Sequence, residues 1–228
     1  MCLAFDHGVC NCAMEDWVKV WLAWSSGKDS AFALGALTGL FTTINGAADR
    51  VAMHGVRRTL VEAQAAAAGL PIRIAALPYP CPNGEYERIM AELVAEASGQ
   101  GVEAMAFGDL FLADIRAYRE ARLAGTGIAP LFPLWGRDTA RLAREMIESG
   151  MVAHVTAVDP AQIDAGFVGR RFDERLLDEL PATADPCGEN GEFHSFVSAG
   201  PMLAAPIAIT LGEVVQRDGM VFCDVLSV

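Results

Sequence analysis

The chain has 228 residues, 53% hydrophobic and 20% charged, which is enough for one sizeable α/β core or a nucleotide-binding domain with a small second lobe, and excludes general disorder. Twenty-nine acidic against 17 basic residues give a formal charge of -12, so the average surface repels phosphate backbones and anionic headgroups; no nucleic-acid and no membrane partner is expected. No apolar run approaches the ~20 residues of a bilayer span, and residues 1–16 lack the basic start and apolar stretch of a signal peptide, so a cytoplasmic protein with a loosely ordered leader at 1–16 is expected.

The six cysteines (Cys2, Cys10, Cys12, Cys81, Cys187, Cys223) read as free thiols, because nothing else argues for secretion. Cys10 and Cys12, with Cys2 and His7 nearby, leave a small metal or redox site open, although the spacing lacks a distant second pair.

In chain order, the short apolar run Val18 to Trp24 suits a buried parallel strand, and the Ala/Leu-rich stretch Ser30 to Leu40, closed by glycines, suits a helix. Val51 to His54 is the next strand candidate. A helix follows from about Thr59 to Ala68, stopped at Gly69-Leu70-Pro71. Ile72 to Leu77 reads as a strand, about Glu85 to Ser98 as a helix, and Ala104 to Phe107 as a strand ending at Gly108-Asp109. Such alternation implies a mostly parallel sheet with right-handed crossovers, whose ligands bind beyond the carboxyl ends of the strands. The loop at 25–30, His54 and Asp109 would all lie there.

Around Gly125 the rhythm breaks into a Gly/Pro-rich stretch. A helix is expected at about Thr139 to Ser149, a strand at Ala153 to Val158, a helix near Phe172 to Glu179, and strands at Phe193 to Val197 and Met220 to Val225. The expected division is residues 17–125 as the main α/β domain and 126–228 as a smaller second lobe.

A loop that cradles phosphate needs small residues so that backbone N–H groups can converge, a helix start and a cation. Ser25-Ser26-Gly27-Lys28-Asp29-Ser30 has all three. Ser25 and Ser26 keep the loop narrow, Gly27 permits close approach or a positive φ, Lys28 supplies charge, Ser30 begins the helix, and Asp29 caps it or supports magnesium. The Walker A pattern fails here, since Leu22 stands where it wants glycine and Asp29 where it wants Ser or Thr. The plain alternative is a Ser/Gly turn capping a helix beside an exposed lysine.

His54 and the arginines of Met53-His54-Gly55-Val56-Arg57-Arg58 fall at the same sheet edge, where His54 is either a site residue or a core and capping residue. Asp109, after Gly108, either holds magnesium or caps a helix. Arg116 and Glu120 share a helix face and pair there or bind substrate, while the Arg119 fork suits a carboxylate or phosphate. Trp135 packs against the sheet or the bound base. In Asp185-Pro186-Cys187-Gly188-Glu189-Asn190-Gly191-Glu192-Phe193-His194-Ser195, Asn190-Gly191 is a hairpin-turn signal, yet two glutamates and a histidine exceed what a turn needs. Glu192 and His194 alternate about Phe193 and on a regular strand face one side, where an amine, ammonia or metal-bound substrate could sit.

The loop resembles the SGGKDS signature of the PP-loop ATP pyrophosphatases, with Ser26 in place of the second glycine. The segments WSSGKDSA, MHGVRRTLVEAQA, FGDLFLADIRAYRE, PLFPLWGRDTARLAREMI and CGENGEFHSFV, in that order from about Trp17 to Pro206, resemble the diphthine-ammonia ligase family, in particular its bacterial relatives. That resemblance implies a five-stranded, Rossmann-like (HUP-type) parallel sheet flanked by helices, with a smaller C-terminal α/β substrate lobe. It implies ATP and Mg2+, cleavage to AMP and pyrophosphate, and a small-molecule or protein-borne carboxylate activated before attack by ammonia or an amine. For a bacterial member that acid need not be diphthine. The residues carried onto this chain are Ser25 to Ser30, Met53, His54 and Gly108 for the nucleotide. Lys28, Asp109, Glu189, Glu192 and His194 are carried over for catalysis, Arg116, Arg119, Glu120 and Asn190 for the substrate, and Asp29 and Asp109 for the metal. A nucleotide sensor without turnover and a tRNA-modifying PP-loop enzyme are the alternatives, and a small two-lobe enzyme of this kind is open to homodimerisation.

Overall fold

The computed structural model describes residues 18–35 and 37–228; the leader with His7, Cys2, Cys10 and Cys12 lies outside the described residues. The first half runs β1 (Val20–Ala23), α1 (Lys28–Phe32), β2 (Gly39–Asn45), β3 (Arg50–Val51), α2 (Arg58–Ala68), β4 (Ile72–Leu77), α3 (Asn83–Gly99), β5 (Ala104–Ala106), α4 (Ala113–Leu123) and β6 (Ala129–Leu131). The second half runs α5 (Thr139–Glu148), β7 (Val152–Val158), a 3-10 turn (Ala165–Phe167), α6 (Glu174–Glu179), β8 (Phe193–Ala199), β9 (Ile209–Arg217) and β10 (Met220–Ser227).

Five parallel strands lie in the order β4-β2-β1-β5-β6. The two-residue β3 adds antiparallel at Ile44 and Asn45, beyond the end of β1, because β4 already occupies the other side of those residues. The connections step leftward from β1 to β2 and β4, then return to β5 on its right, which makes the carboxyl end of β1 the topological switch point. The central strands β1, β2 and β5 are buried on both faces. Leu22, Leu40 and Ala106 face α2 and α5 in one core, while Trp21, Phe41 and Met105 face α3 in the other.

A second sheet, antiparallel in the order β8-β7-β10-β9, follows. Its buried residues, among them Val155, Phe172, Phe193 and Phe196, join the same core as Leu22, Leu60 and Leu142. The two sheets therefore share one hydrophobic interior, and β6, beyond residue 126, pairs with β5 in the first sheet.

Local signals explain most boundaries. Helix α2 ends where Gly69 turns left-handed at φ 68° and its N–H, with that of Leu70, caps the last carbonyls ahead of Pro71. Helix α5 starts where the Asp138 carboxylate accepts from Arg141 N at 2.8 Å. Two expectations are corrected. The helix expected from Ser30 to Leu40 stops at Phe32, and the strand expected at Val51 to His54 shrinks to Arg50–Val51 and a turn. The second strand is instead Gly39–Asn45, whose Phe41, Thr42, Thr43 and Ile44 favour a pleated, buried surface over a helix. Gly39 is needed there, since a Cβ would stand 2.8 Å from the Trp21 indole nitrogen.

The C-terminal strand also closes the turn after β3. Asp224 on β10 accepts from Arg50 at 2.8 Å and binds the Arg57 guanidinium, so Arg57 is drawn to β10 and Arg58 pairs with Glu62 along α2. Burial pushes the Asp224 carboxyl up, but the two guanidiniums outweigh it and hold the group down at about 2. A carboxyl lowered on folding stabilises above its unfolded value and loses that contribution as pH falls from about 4 to about 2. Asp224→Asn is expected to cost on the order of 1–2 kcal/mol at pH 7 and to lose much of that deficit near pH 2, read from paired denaturant titrations; a deficit unchanged with pH would contradict the clip.

Candidate nucleotide and acyl-transfer site

At the switch point the chain leaves β1 through Trp24 and Ser25 and makes a tight loop into α1. Ser26 occupies the left-handed region at φ 74°, a conformation costing a non-glycine residue roughly 1–2 kcal/mol. Its hydroxyl is buried without a hydrogen-bond partner. The positive φ thus falls on Ser26, and Gly27 serves close approach instead: a Cβ there would stand 2.6 Å from His54 Cε1. Gly108, after β5, is required in the same way, since a Cβ would press within 3.1 Å of the Asp29 and Ser30 backbone. Ser30 Oγ donates to the Gly27 carbonyl at 3.0 Å and meets Ser25 Oγ at 3.1 Å, which closes the loop on itself.

The second sheet reaches this loop through β8. Val197 N donates to the Ser26 carbonyl at 3.0 Å, Lys28 N donates to Ser195 Oγ at 3.2 Å, and His54 Nδ1 lies 2.9 Å from the Ser195 carbonyl. A carbonyl only accepts, so His54 carries its proton on Nδ1 and leaves Nε2 as an acceptor. Gln64 on α2 ties the same pieces together from below, donating to the carbonyls of Ser26 and Val197 and accepting from the Trp24 indole.

Lys28, only 2% exposed, sends its ammonium to Asp29 at 2.8 Å and to the Cys187 carbonyl, with the Phe172 and Phe193 rings 5.5 and 5.3 Å away. Burial alone would lower its pKa; the Asp29 carboxylate more than offsets that, and the amine stays charged. The loop that supplies the Cys187 carbonyl is organised by two carboxylates. Glu192 accepts from Asp185 N at 2.8 Å and from Asn190 N and Nδ2 at 3.0 and 3.1 Å; Asp185 accepts from Cys187 N at 3.1 Å and Glu189 N at 2.9 Å. Gly188 turns at φ 69°, and a Cβ there would meet the Phe193 carbonyl at 2.8 Å.

A cavity of about 480 Å³ opens above the loop, within the range for small-molecule sites. Ser25, Lys28, Asp29, Ser30, Met53, His54, Gly108, Asp109, Arg119, Glu189 and His194 line it, drawn from both sheets. Asp109 and Arg119 bind each other bidentately at 2.5 and 3.0 Å, with the guanidinium 4.4 Å over the Phe107 ring. Glu192 and Asn190 are turned into their own loop, so Glu192 does not share the cavity-facing side of His194. Arg116 pairs with Glu120 at 2.8 Å and stacks on Phe132 and Trp135, outside the cavity lining. Among the described residues no three His, Cys, Asp or Glu side chains converge as a metal site. Gln64, Ser195 and Asp185 were given no role by the sequence, although Asp185 and Ser195 bound the glutamate-rich motif; a polar residue inside the Ala-rich α2 was the signal for Gln64.

The titratable groups separate cleanly. Burial carries His54 down to about 4 against the pull of the Ser195 carbonyl, and burial, His54 and Lys28 carry His194 to about 3, the two rings lying 4.7 Å apart. Both are neutral near pH 7. Burial lifts Glu189 to about 7, opposed by the Leu110 N–H that it accepts at 2.7 Å and helped by Asp29 and Asp109. Cys187 is pushed by burial to about 12 and is inert as a nucleophile.

Two outcomes follow from this electrostatics and strain. A carboxyl raised on folding destabilises as pH climbs from its unfolded value, near 4.5, through about 7. Glu189→Gln is therefore expected to raise the melting temperature by about 2–5 °C at pH 8 and to leave it unchanged at pH 4, by thermal scans at both; a pH-independent shift would count against the raised carboxyl. Ser26→Gly removes the left-handed strain and the unpartnered hydroxyl, and should stabilise by about 1 kcal/mol in chemical denaturation, whereas destabilisation would mean the serine is held by something other than backbone geometry.

The comparisons with known proteins fit this geometry. Residues 138–225 match the family model of the diphthamide synthase C-terminal domain. The human diphthine-ammonia ligase is 28% identical over 151 residues, which cover 64% of this chain and 56% of that protein; the cattle enzyme matches to the same extent. The enzyme of the fission yeast Schizosaccharomyces pombe is 30% identical over 101 residues, 42% of this chain and 17% of its own length. The chain thus spans little more than half of the human and cattle relatives. In its mixed α/β architecture and in this C-terminal match, the chain is similar to the diphthine-ammonia ligases.

Proposed function

We propose that this chain is an ATP-dependent, amide-forming ligase of the diphthine-ammonia ligase type. A carboxylate oxygen of the acceptor attacks the α-phosphorus of ATP, pyrophosphate leaves, and ammonia or an amine then displaces AMP from the acyl carbon to give the amide. The observation that carries this reading is convergence: the phosphate-type loop at 25–30 and the Gly188 to His194 motif meet in one cavity, joined through Lys28. Activation is chemically necessary because a carboxylate is a poor electrophile and oxide a poor leaving group.

The residues take distinct parts. Ser25, Ser26, Gly27 and Ser30 shape the phosphate cradle, Lys28 meets the charge that develops on the pyrophosphate, and Met53, His54 and Gly108 border the nucleotide. Glu189, titrating near neutrality, takes the proton that ammonium must lose; His194, carried down to about 3, stays neutral beside it and orients the ammonia or acceptor without taking a proton. Glu192 with Asn190 holds the loop that presents Glu189. Arg119 and Asp109 face the acceptor, and Arg116 and Glu120 brace α4 behind them. Mg2+ would neutralise charge on the phosphates, and Asp29 and Asp109, each now paired with a cation, are the residues that would hold it. In this reading the nucleotide is held mainly by residues before about 125, and the acceptor meets Asp109 and Arg119 together with Glu189 and His194 from beyond residue 126. A sensor without turnover has no use for a carboxyl poised near pH 7 in the cavity, and the charge of -12 disfavours tRNA.

The decisive assay incubates the protein with ATP, magnesium and ammonium across a panel of carboxylic acids. AMP and pyrophosphate should form in step with amide, and Lys28→Met should reduce the rate by about 100-fold or more. Formation of ADP, or bound ATP with no AMP under any condition, would sink the ligase reading.

A further inference from the structure

Gln64 is fully buried, yet nothing in its helix requires an amide there. Its Oε1 accepts from the Trp24 indole at 2.9 Å, and its Nε2 donates to the carbonyls of Ser26 at 3.1 Å and Val197 at 2.6 Å. The Ser26 carbonyl already accepts from Val197 N at 3.0 Å, so the second donor is not needed to satisfy it. What the second donor adds is direction.

A trans peptide is planar, with its C=O and N–H pointing opposite ways. Pinning the Ser26 carbonyl between Gln64 and β8 therefore aims the Gly27 N–H away from the core. That N–H meets only Ser25 Oγ, at a long 3.3 Å, and Ser25 is a cavity-lining hydroxyl. The peptide follows a residue at φ 74°, a conformation with no local preference of its own in a serine, so something outside the loop must hold it.

We propose that Gln64 is a positioning residue of the nucleotide site: by fixing the Ser26 carbonyl inward it presents the Gly27 N–H to a phosphate oxygen of the bound nucleotide. The proposal rests on the ATP reading above. It also explains why Gln64 bonds the loop and β8 at once, since the docked second sheet becomes part of the phosphate cradle.

The test compares ATP with adenosine, which lacks the phosphates, by calorimetry on wild type and Gln64→Met. ATP affinity should fall by about tenfold or more while adenosine affinity stays within about twofold. Parallel weakening of both ligands would mark Gln64 as merely structural, and unchanged ATP affinity would also overturn the proposal. Gln64→Leu, which likewise has no donor for the Ser26 carbonyl, should give the same split. If neither variant folds, amide-resolved hydrogen exchange on the wild type decides. ATP should slow exchange at Gly27 and adenosine should not; equal or no slowing by both would overturn it. A wild-type protein that binds no ATP at all would instead reject the nucleotide reading itself.

Discussion

An ammonium taken out of water must be surrounded by carboxylate and carbonyl oxygen or give up its proton, and either course constrains everything around it. Lys28 takes the first. Its partners come from opposite ends of the chain: Asp29 from its own helix and the Cys187 carbonyl from a loop about 160 residues away. To bring that carbonyl in, Asp185 and Glu192 gather the N–H groups of residues 185 to 190, Gly188 turns left-handed, and β8 lies across the phosphate loop. The second sheet is thus a wall of the cavity above the loop at 25–30, which agrees with a hydrophobic core that runs without a break between the two sheets.

The burial that Asp29 must offset to keep Lys28 charged also sorts the other groups. Two histidines are held neutral, and a glutamate is raised to about 7 with two further carboxylates nearby. Groups of one cavity whose pKa values are driven apart can divide the labour of charge stabilisation and proton transfer at a single pH. Binding of a polyanion would redistribute these charges, because Lys28 and Arg119 each now satisfy a carboxylate that magnesium and phosphate would compete for.

Much of this was legible in the residues. The loop from Ser25 to Ser30, the strand before it, and the ends of β4, α3 and β5 follow from apolar runs and punctuation by glycine and proline. The site at the sheet's carboxyl edge follows from the alternation of strand and helix. Other features were hidden by tertiary effects. Gly39 looked like a helix stop, whereas it makes room for the Trp21 indole and opens a strand. Gly27 was open to close approach or to a positive φ; it serves the first, making room for His54, while Ser26 bears the positive φ. Glu192 and His194 read as neighbours on one face, but the strand begins only at Phe193, which frees Glu192 to serve its own loop. β6 and β9 carry little periodicity: β6 is three residues in a proline-rich stretch, and β9 is exposed along most of its length.

A structure bound to a magnesium complex of an ATP analogue with a non-cleavable α,β linkage tests the central claim most directly. The account places the triphosphate on the Ser25 to Ser30 loop, in contact with Lys28, with its α-phosphate facing Glu189 and His194 across the cavity. A nucleotide bound elsewhere, or one whose α-phosphate is sealed off from the Gly188 to His194 motif, would contradict it.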